Sequence, residues 1–367
     1  MKPTTSLHLL AAICMLFLFS CNKDEEDSLV IPDTYSFDNV NYDGQTQRLA
    51  MLLEIKNYIT TANTPGVALD AQRLRAMYAN DAAGAGWQGA YEASKQLKGK
   101  TFEFHQDLFE QLMDVIAQAS TSAVAGAPGQ AGVVASADGA KQYLLNENGV
   151  EYAQLIEKGL MGACFYYQAT AVYMADEKMN VDNTDVTPGE GTAMEHHWDE
   201  AFGYYGVPRS FPADTEPVFF WGVYSNRRDP LLGVNRKMMD AFLKGRAAIS
   251  AGKLEVRDEA IAEARANWEL ISGATAISYL NTALENFDDF ALRAHALSEA
   301  IAFTYALQFN PERSFSVEEV NQALRLIGGG SEDFFEMNLY EVEPAGLEQA
   351  RTLLSAGLGL EEVMMDL

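Results

Sequence analysis

From Asp43 onward the apolar residues recur at helical spacing. Leu49, Leu52, Ile55, Tyr58 and Ile59 fall on one face, with Arg48, Glu54 and Lys56 off it. Thr64-Pro-Gly66 stops that run. The same period covers Leu69–Tyr78, Leu108–Ala119, Glu151–Met174, Met238–Ser250, Arg257–Leu284, Phe290–Phe309, Val317–Ile327 and Leu347–Leu354. Strand-like runs such as Val218-Phe-Phe-Trp221 are short and isolated, so the pattern predicts an all-α fold made of helical bundles.

Three breaks interrupt the helices. Residues 120–139 are rich in Ala, Gly and Ser, whose side chains are too small to offer a packing face, and predict a loose surface insert. Asn180–Gly191 carries Asp182, Asp185 and Glu190 without the spacing of a helix-loop-helix calcium site, and predicts a plain loop leading into a helix. Gly206–Asp214 holds a glycine and two prolines and predicts a boundary between two bundles packed together, residues 37–206 and 215–367.

Composition narrows the function classes. The chain has 367 residues, 48% of them apolar, so it can bury a full core and lacks the composition of a disordered protein. Its 26 Lys and Arg against 52 Asp and Glu give a net charge of −26, which argues against a nucleic-acid partner, because phosphate contacts need clustered cations.

The N-terminus reads as an address. Lys2 precedes the apolar run Leu9–Phe19, whose eleven residues fall short of the roughly 20 that span a bilayer, so residues 1–20 are expected to be a secretory signal. Leu18-Phe-Ser-Cys21 resembles the bacterial lipobox. Cys21 is then expected to carry the lipid, with residues 21–36 as an acidic tether and a membrane as partner through the acyl chains. Asn22-Lys-Asp-Glu-Glu-Asp27 resembles the tag that sends some Gram-negative lipoproteins to the outer face of the outer membrane; a solvated tether on a periplasmic protein is the other reading. Cys14, Cys21 and Cys164 are the only cysteines, which excludes a disulfide framework, and Cys164 sits in an apolar stretch as a buried, inert thiol would.

The candidate chemistry lies in two helical segments. Thr192 and Glu195 have capping-box spacing and Gly206 with Pro208 makes a stop, which frames a helix of about 13 residues. On it His197 and Glu200 are three apart and His196 and Glu200 four apart, so imidazole and carboxylate share a face and suit zinc or iron, provided another donor arrives from elsewhere. A hundred residues on, His295 and Glu299 are four apart behind Asp289, a helix cap. If the two helices face each other, these groups converge on one metal. The competing reading is that the pairs hydrogen-bond one another and orient a polar-lined core. Arg48, Trp221 and Tyr224 are further candidates for contacts to a ligand, Arg48 at a helix start and the aromatics in a loop beside Arg227 and Arg228. His105 has no such company and reads as structural. Lys244-Gly-Arg246 reads as close helix packing. No zinc-protease helix, nucleophile elbow, phosphate loop or dinucleotide fingerprint is present.

Asp43-Gly-Gln-Thr-Gln-Arg48, Lys158-Gly-Leu-Met-Gly162, His196-His-Trp-Asp-Glu200 with its continuation to Gly206, Trp221-Gly-Val-Tyr224, Ala241–Ile249 and Ser298-Glu-Ala300 together resemble a bacterial lipoprotein family filed as domain of unknown function 4856. The resemblance covers nearly all of the chain after the signal and carries no activity with it. More distantly the chain is similar to imelysin-like proteins, two-bundle helical envelope proteins associated with iron uptake. Their Gly-x-His-x-x-Glu hallmark is matched by His197 and Glu200, with Glu195 in place of the glycine.

The expectation is therefore a lipid-anchored, non-catalytic envelope protein that binds a divalent metal, iron or a metal-bearing ligand in a cleft between two helical halves, in metal acquisition. Two alternatives stay open. In a metal-dependent peptidase or hydrolase the ion would activate water with Glu200 or Asp199 as base. In a surface scaffold or adhesion protein the helical pairs are packing and the acidic surface serves solubility.

Overall fold

Side-chain caps set several helix starts. Asp70, Thr192, Asp289 and Ser316 each accept a backbone N–H from the first turn of the helix that follows, and Thr192 with Glu195 and Ser316 with Glu319 close reciprocal capping boxes. The computed structural model describes residues 29–367; the expected signal peptide, Cys21 and the acidic run to Asp27 lie outside the described residues.

The order is α1 (Asp43–Thr60), α2 (Ala71–Ala79), the short α3 (Ala82–Ala85), α4 (Gln106–Ser120), strands β1 (Gly132–Ala135) and β2 (Gln142–Leu145), then α5 (Tyr152–Leu160). There follow the short α6 (Asp176–Met179), α7 (Ala193–Gly203), α8 (Trp221–Leu232), α9 (Val234–Ser250), α10 (Leu254–Glu285), α11 (Phe290–Ala306), α12 (Val317–Ile327) and α13 (Pro344–Leu358). The fold is all-α apart from one antiparallel hairpin, whose register runs from Gly132 opposite Leu145 to Ala135 opposite Gln142. The hairpin corrects the loose insert expected at 120–139. Val133 and Val134 pack against the core, and Ala137 N–H is held by Asp289.

The 32 residues of α10 make a rod about 48 Å long, against which α9, α11 and α13 pack. α5 lies on α11 and on α1, and α7 lies on α9. Helices from before residues 206–214 thus pack on helices from after them. One continuous hydrophobic core runs from Tyr35 to Leu360, and residues 31–367 form one compact unit. The Gly- and Pro-containing connection at 206–214 turns the chain within this one core. No helix among the described residues is long and apolar enough to cross a membrane.

Three local features position the candidate site. α5 continues into two π-helical stretches, Met161–Tyr166 and Gln168–Tyr173, a rare geometry that concentrates at functional positions. Gly203, at the end of α7, lets α1 approach; a Cβ there would stand 2.7 Å from Cβ of Tyr42 and 2.9 Å from Cβ of Gln45. Gly245 on α9 accepts the face of Trp198, and a Cβ there would lie 2.1 Å from the indole. The segment before α1 is strapped onto α7: Tyr35 stacks on Phe202 with ring centroids 3.8 Å apart and donates to Asp199 at 2.7 Å.

Candidate functional site

The two sequence pairs occupy separate sets of contacts. No hydrogen bond, ion pair or ring contact among the described residues joins His196, His197 or Glu200 to His295 or Glu299.

Glu200 is the centre of the first. Its Oε1 accepts from Nε2 of Gln45 at 3.0 Å and from the hydroxyl of Tyr173 at 3.0 Å. Its Oε2 faces Nδ1 of His197 at 3.4 Å and Nε2 of His196 at 3.9 Å. The tyrosine hydroxyl is in turn approached by Nζ of Lys100 at 3.0 Å, and that ammonium also lies over the tyrosine ring. α1, the second π-helical stretch, α7 and the turn Lys98–Lys100 thus each contribute a group. The side chains of His196, His197 and Glu200 keep 28%, 18% and 19% of their surface open, so the group is reachable from solvent. Partial burial works against charge on Glu200. Hydrogen bonds from His197 and Gln45, the neighbouring His196 and the hydroxyl of Tyr173 outweigh it and hold the carboxyl down at about 2. Burial and the charge of Arg48 together lower the affinity of Lys100 for its proton.

Behind Glu200 the same helix is tied into the core. Trp198 donates to the carbonyl of Phe242 at 3.0 Å. Asp199 is fully buried and accepts from Tyr35 and from Nε of Arg246, while Arg246 also bonds Glu195. Burial pushes Asp199 up to about 6 against the pull of Arg246. Sequence reading placed this arginine in close helix packing without its carboxylate partners, and missed Gln45, Lys100 and Tyr173, because such partners are fixed only by tertiary packing. Gln45 stood within the Asp43–Arg48 segment; Tyr173 and Lys100 had no local signal.

His295 has both ring nitrogens committed. Nδ1 lies 2.6 Å from Oε2 of Glu151 and Nε2 lies 3.4 Å from Oε1 of Glu299, with the ring of Tyr143 stacked at 4.3 Å. Glu299 also faces Nζ of Lys158 at 3.7 Å and accepts from Tyr224 at 3.2 Å; Lys158 continues to Glu157, and Glu157 to Lys56. Burial opposes a charge on His295, but the charge and hydrogen bond of Glu151 and the charge of Glu299 prevail and raise its pKa. The short contact to Glu151 engages Nδ1, so this ring is held in the packing by its carboxylate neighbours. Three cations, Lys56, Lys158 and His295, alternate with three carboxylates, Glu157, Glu299 and Glu151, in a charge-balanced chain.

The remaining candidates are mostly structural in their contacts. Trp221 begins a helix rather than sitting in a loop; it is buried and donates to the carbonyl of Met161. Tyr224 serves Glu299, as above. Arg48 lies one turn into α1, 5% exposed, and its guanidinium donates to the carbonyls of Gln96 and Gly44. His105 meets Tyr305 at 2.6 Å, and Cys164 is buried, with burial pushing its thiol up to about 12.

Among the described residues, no three His, Cys, Asp or Glu side chains stand together as a ready metal cage. The donor set at Glu200 fits a metal only as a partial shell, a carboxylate oxygen and imidazole nitrogen with the other carboxylate oxygen oriented from behind.

No curated protein and no solved structure matched the chain. The family model described as Domain of unknown function (DUF4856) matches residues 32–355, and the chain, matched over most of its length and across every element of the site above, belongs to that family.

Proposed function

We propose that this protein is a lipid-anchored, non-catalytic envelope protein that binds a metal-bearing ligand at His197 and Glu200. What supports this reading is how the two oxygens of Glu200 are used. Oε1 is fixed by Gln45 and Tyr173, while Oε2 is turned to His197 at 3.4 Å and His196 at 3.9 Å. The first is a long hydrogen bond and the second lies beyond hydrogen-bond reach, against about 2.9 Å for a good N–H···O bond. They approach the spacing of neighbouring donors around one ion, roughly 3.4 Å for a tetrahedral centre with bonds near 2.1 Å. One carboxylate and one or two imidazoles leave coordination positions for donors that the ligand brings, which favours a metal that arrives already chelated.

Metal analysis of protein purified without a histidine tag, with His197→Ala and Glu200→Gln beside it, is the test. Loss of metal from both variants is expected. Equal metal content in wild type and His197→Ala would end this reading.

A further inference from the structure

We propose that Lys100, hydrogen-bonded to the Tyr173 hydroxyl that also serves Glu200, forms an anion subsite that takes a carboxylate of the chelator bound at Glu200. This rests on the metal reading of Glu200 and names the ligand class: a transition-metal complex of a small polycarboxylate.

Four observations converge. Of the basic side chains with under a tenth of their surface exposed among the described residues, Lys158, Arg246, Arg257 and Arg265 each have a carboxylate within ion-pair distance; Arg48 meets only carbonyls. Lys100, more than half buried, likewise has no carboxylate within ion-pair distance, and its hydrogen-bonded partner is the neutral hydroxyl of Tyr173. Lys100 thus shares the Glu200 carboxylate only through the Tyr173 hydroxyl and has no ion pair of its own, a position at which a further carboxylate would be stabilised.

The third observation is an unused donor. Tyr204 has no exposed surface and its hydroxyl has no partner, although its ring centroid lies 6.2 Å from that of Tyr173. A buried hydroxyl left unpaired costs about 1–3 kcal/mol, which a ligand oxygen would relieve. Oε1 of Gln168 is also buried and unpaired, and the amide nitrogen of that residue holds the carbonyl of Lys100.

The fourth is distance. Two links of 3.0 Å, from Lys100 to the hydroxyl of Tyr173 and from there to Oε1 of Glu200, put the ammonium no more than about 6 Å from the carboxylate. A small polycarboxylate spans that gap. One carboxylate would meet Lys100 while others stay on the metal at Glu200 and His197, so that the mixed charge of the site matches the mixed charge of the complex.

The probes are Zn2+ alone, citrate alone and the zinc–citrate complex, titrated calorimetrically into the full mature chain and into Lys100→Met, Lys100→Arg and His197→Ala. Wild type is expected to take the complex about tenfold more tightly than Zn2+. Lys100→Met should lose that preference yet bind bare Zn2+ roughly threefold more tightly, since a positive charge near Glu200 is gone. Lys100→Arg, which keeps the charge, should restore the preference and also controls for a folding defect in the methionine variant. His197→Ala should lose both. If wild type takes Zn2+ and its citrate complex equally, or if Lys100→Met keeps the preference, the anion subsite is refuted while the metal reading stands. If neither form of zinc binds wild type, both fall.

Discussion

His295 and Glu151 stand 2.6 Å apart across 144 positions of sequence, and Glu151 is buried. The contact ties α11 to the start of α5. Because the pKa of His295 is raised in the folded protein above its ordinary value of 6.5, the stabilisation is fully present below pH 6.5 and is lost as pH rises through the folded value. Urea unfolding at pH 6 and pH 9 should show wild type losing stability over that interval. His295→Gln should lose about 2–3 kcal/mol at pH 6 by stranding the Glu151 carboxylate, and should flatten the pH dependence. An unchanged pH slope in the variant would mean that the imidazolium is not the bridge.

Glu200 gives the opposite dependence. Its carboxyl is held at about 2 against 4.5 in the unfolded chain, so its contribution is present above pH 4.5 and disappears as pH falls toward 2. Glu200→Gln should cost about 1–3 kcal/mol at pH 7, with the gap to wild type closing on acidification. The measurement is the denaturant midpoint of the metal-free protein across that range. A gap that stays constant with pH would assign the loss to packing.

Gly245→Ala sets two effects against each other. In a helix interior the change alone gains about 1 kcal/mol of helix propensity. Here the added methyl would lie 2.1 Å from the Trp198 ring, which is itself fully buried between α7 and α9. Overpacking of about 1–3 kcal/mol should outweigh the gain, with a lower melting temperature as the readout. A raised melting temperature would show that α7 and α9 separate easily.

How far the sequence disclosed this arrangement follows from where each signal resides. α7 was legible because its capping box and its stop are local chemistry, and the long α10 because no proline interrupts its 32 residues. The α8 start was not, since Phe220 enters it with a positive φ of 46° and Pro230 lies within it, both of which read as interruptions. The hairpin escaped because β1 and β2 are four residues each and β1 lies within a run rich in Ala, Gly and Ser. His197 and Glu200 were found by spacing on one helix. Their partners Gln45, Lys100 and Tyr173 come from other elements, and nothing in the linear order pairs them.

The π-helical run from Met161 to Tyr173 has a consequence for that pairing. A turn closed by i→i+5 bonds consumes about one more residue than an α turn, so side chains beyond Leu160 swing steadily backwards around the axis. The stretch acts as a phase shifter between the charge-balanced chain at Lys158 and the hydroxyl of Tyr173. Were it to rewind into regular α geometry, the tyrosine would leave Glu200 without any substitution in the site, so that the winding of one buried helix governs how open that carboxylate is.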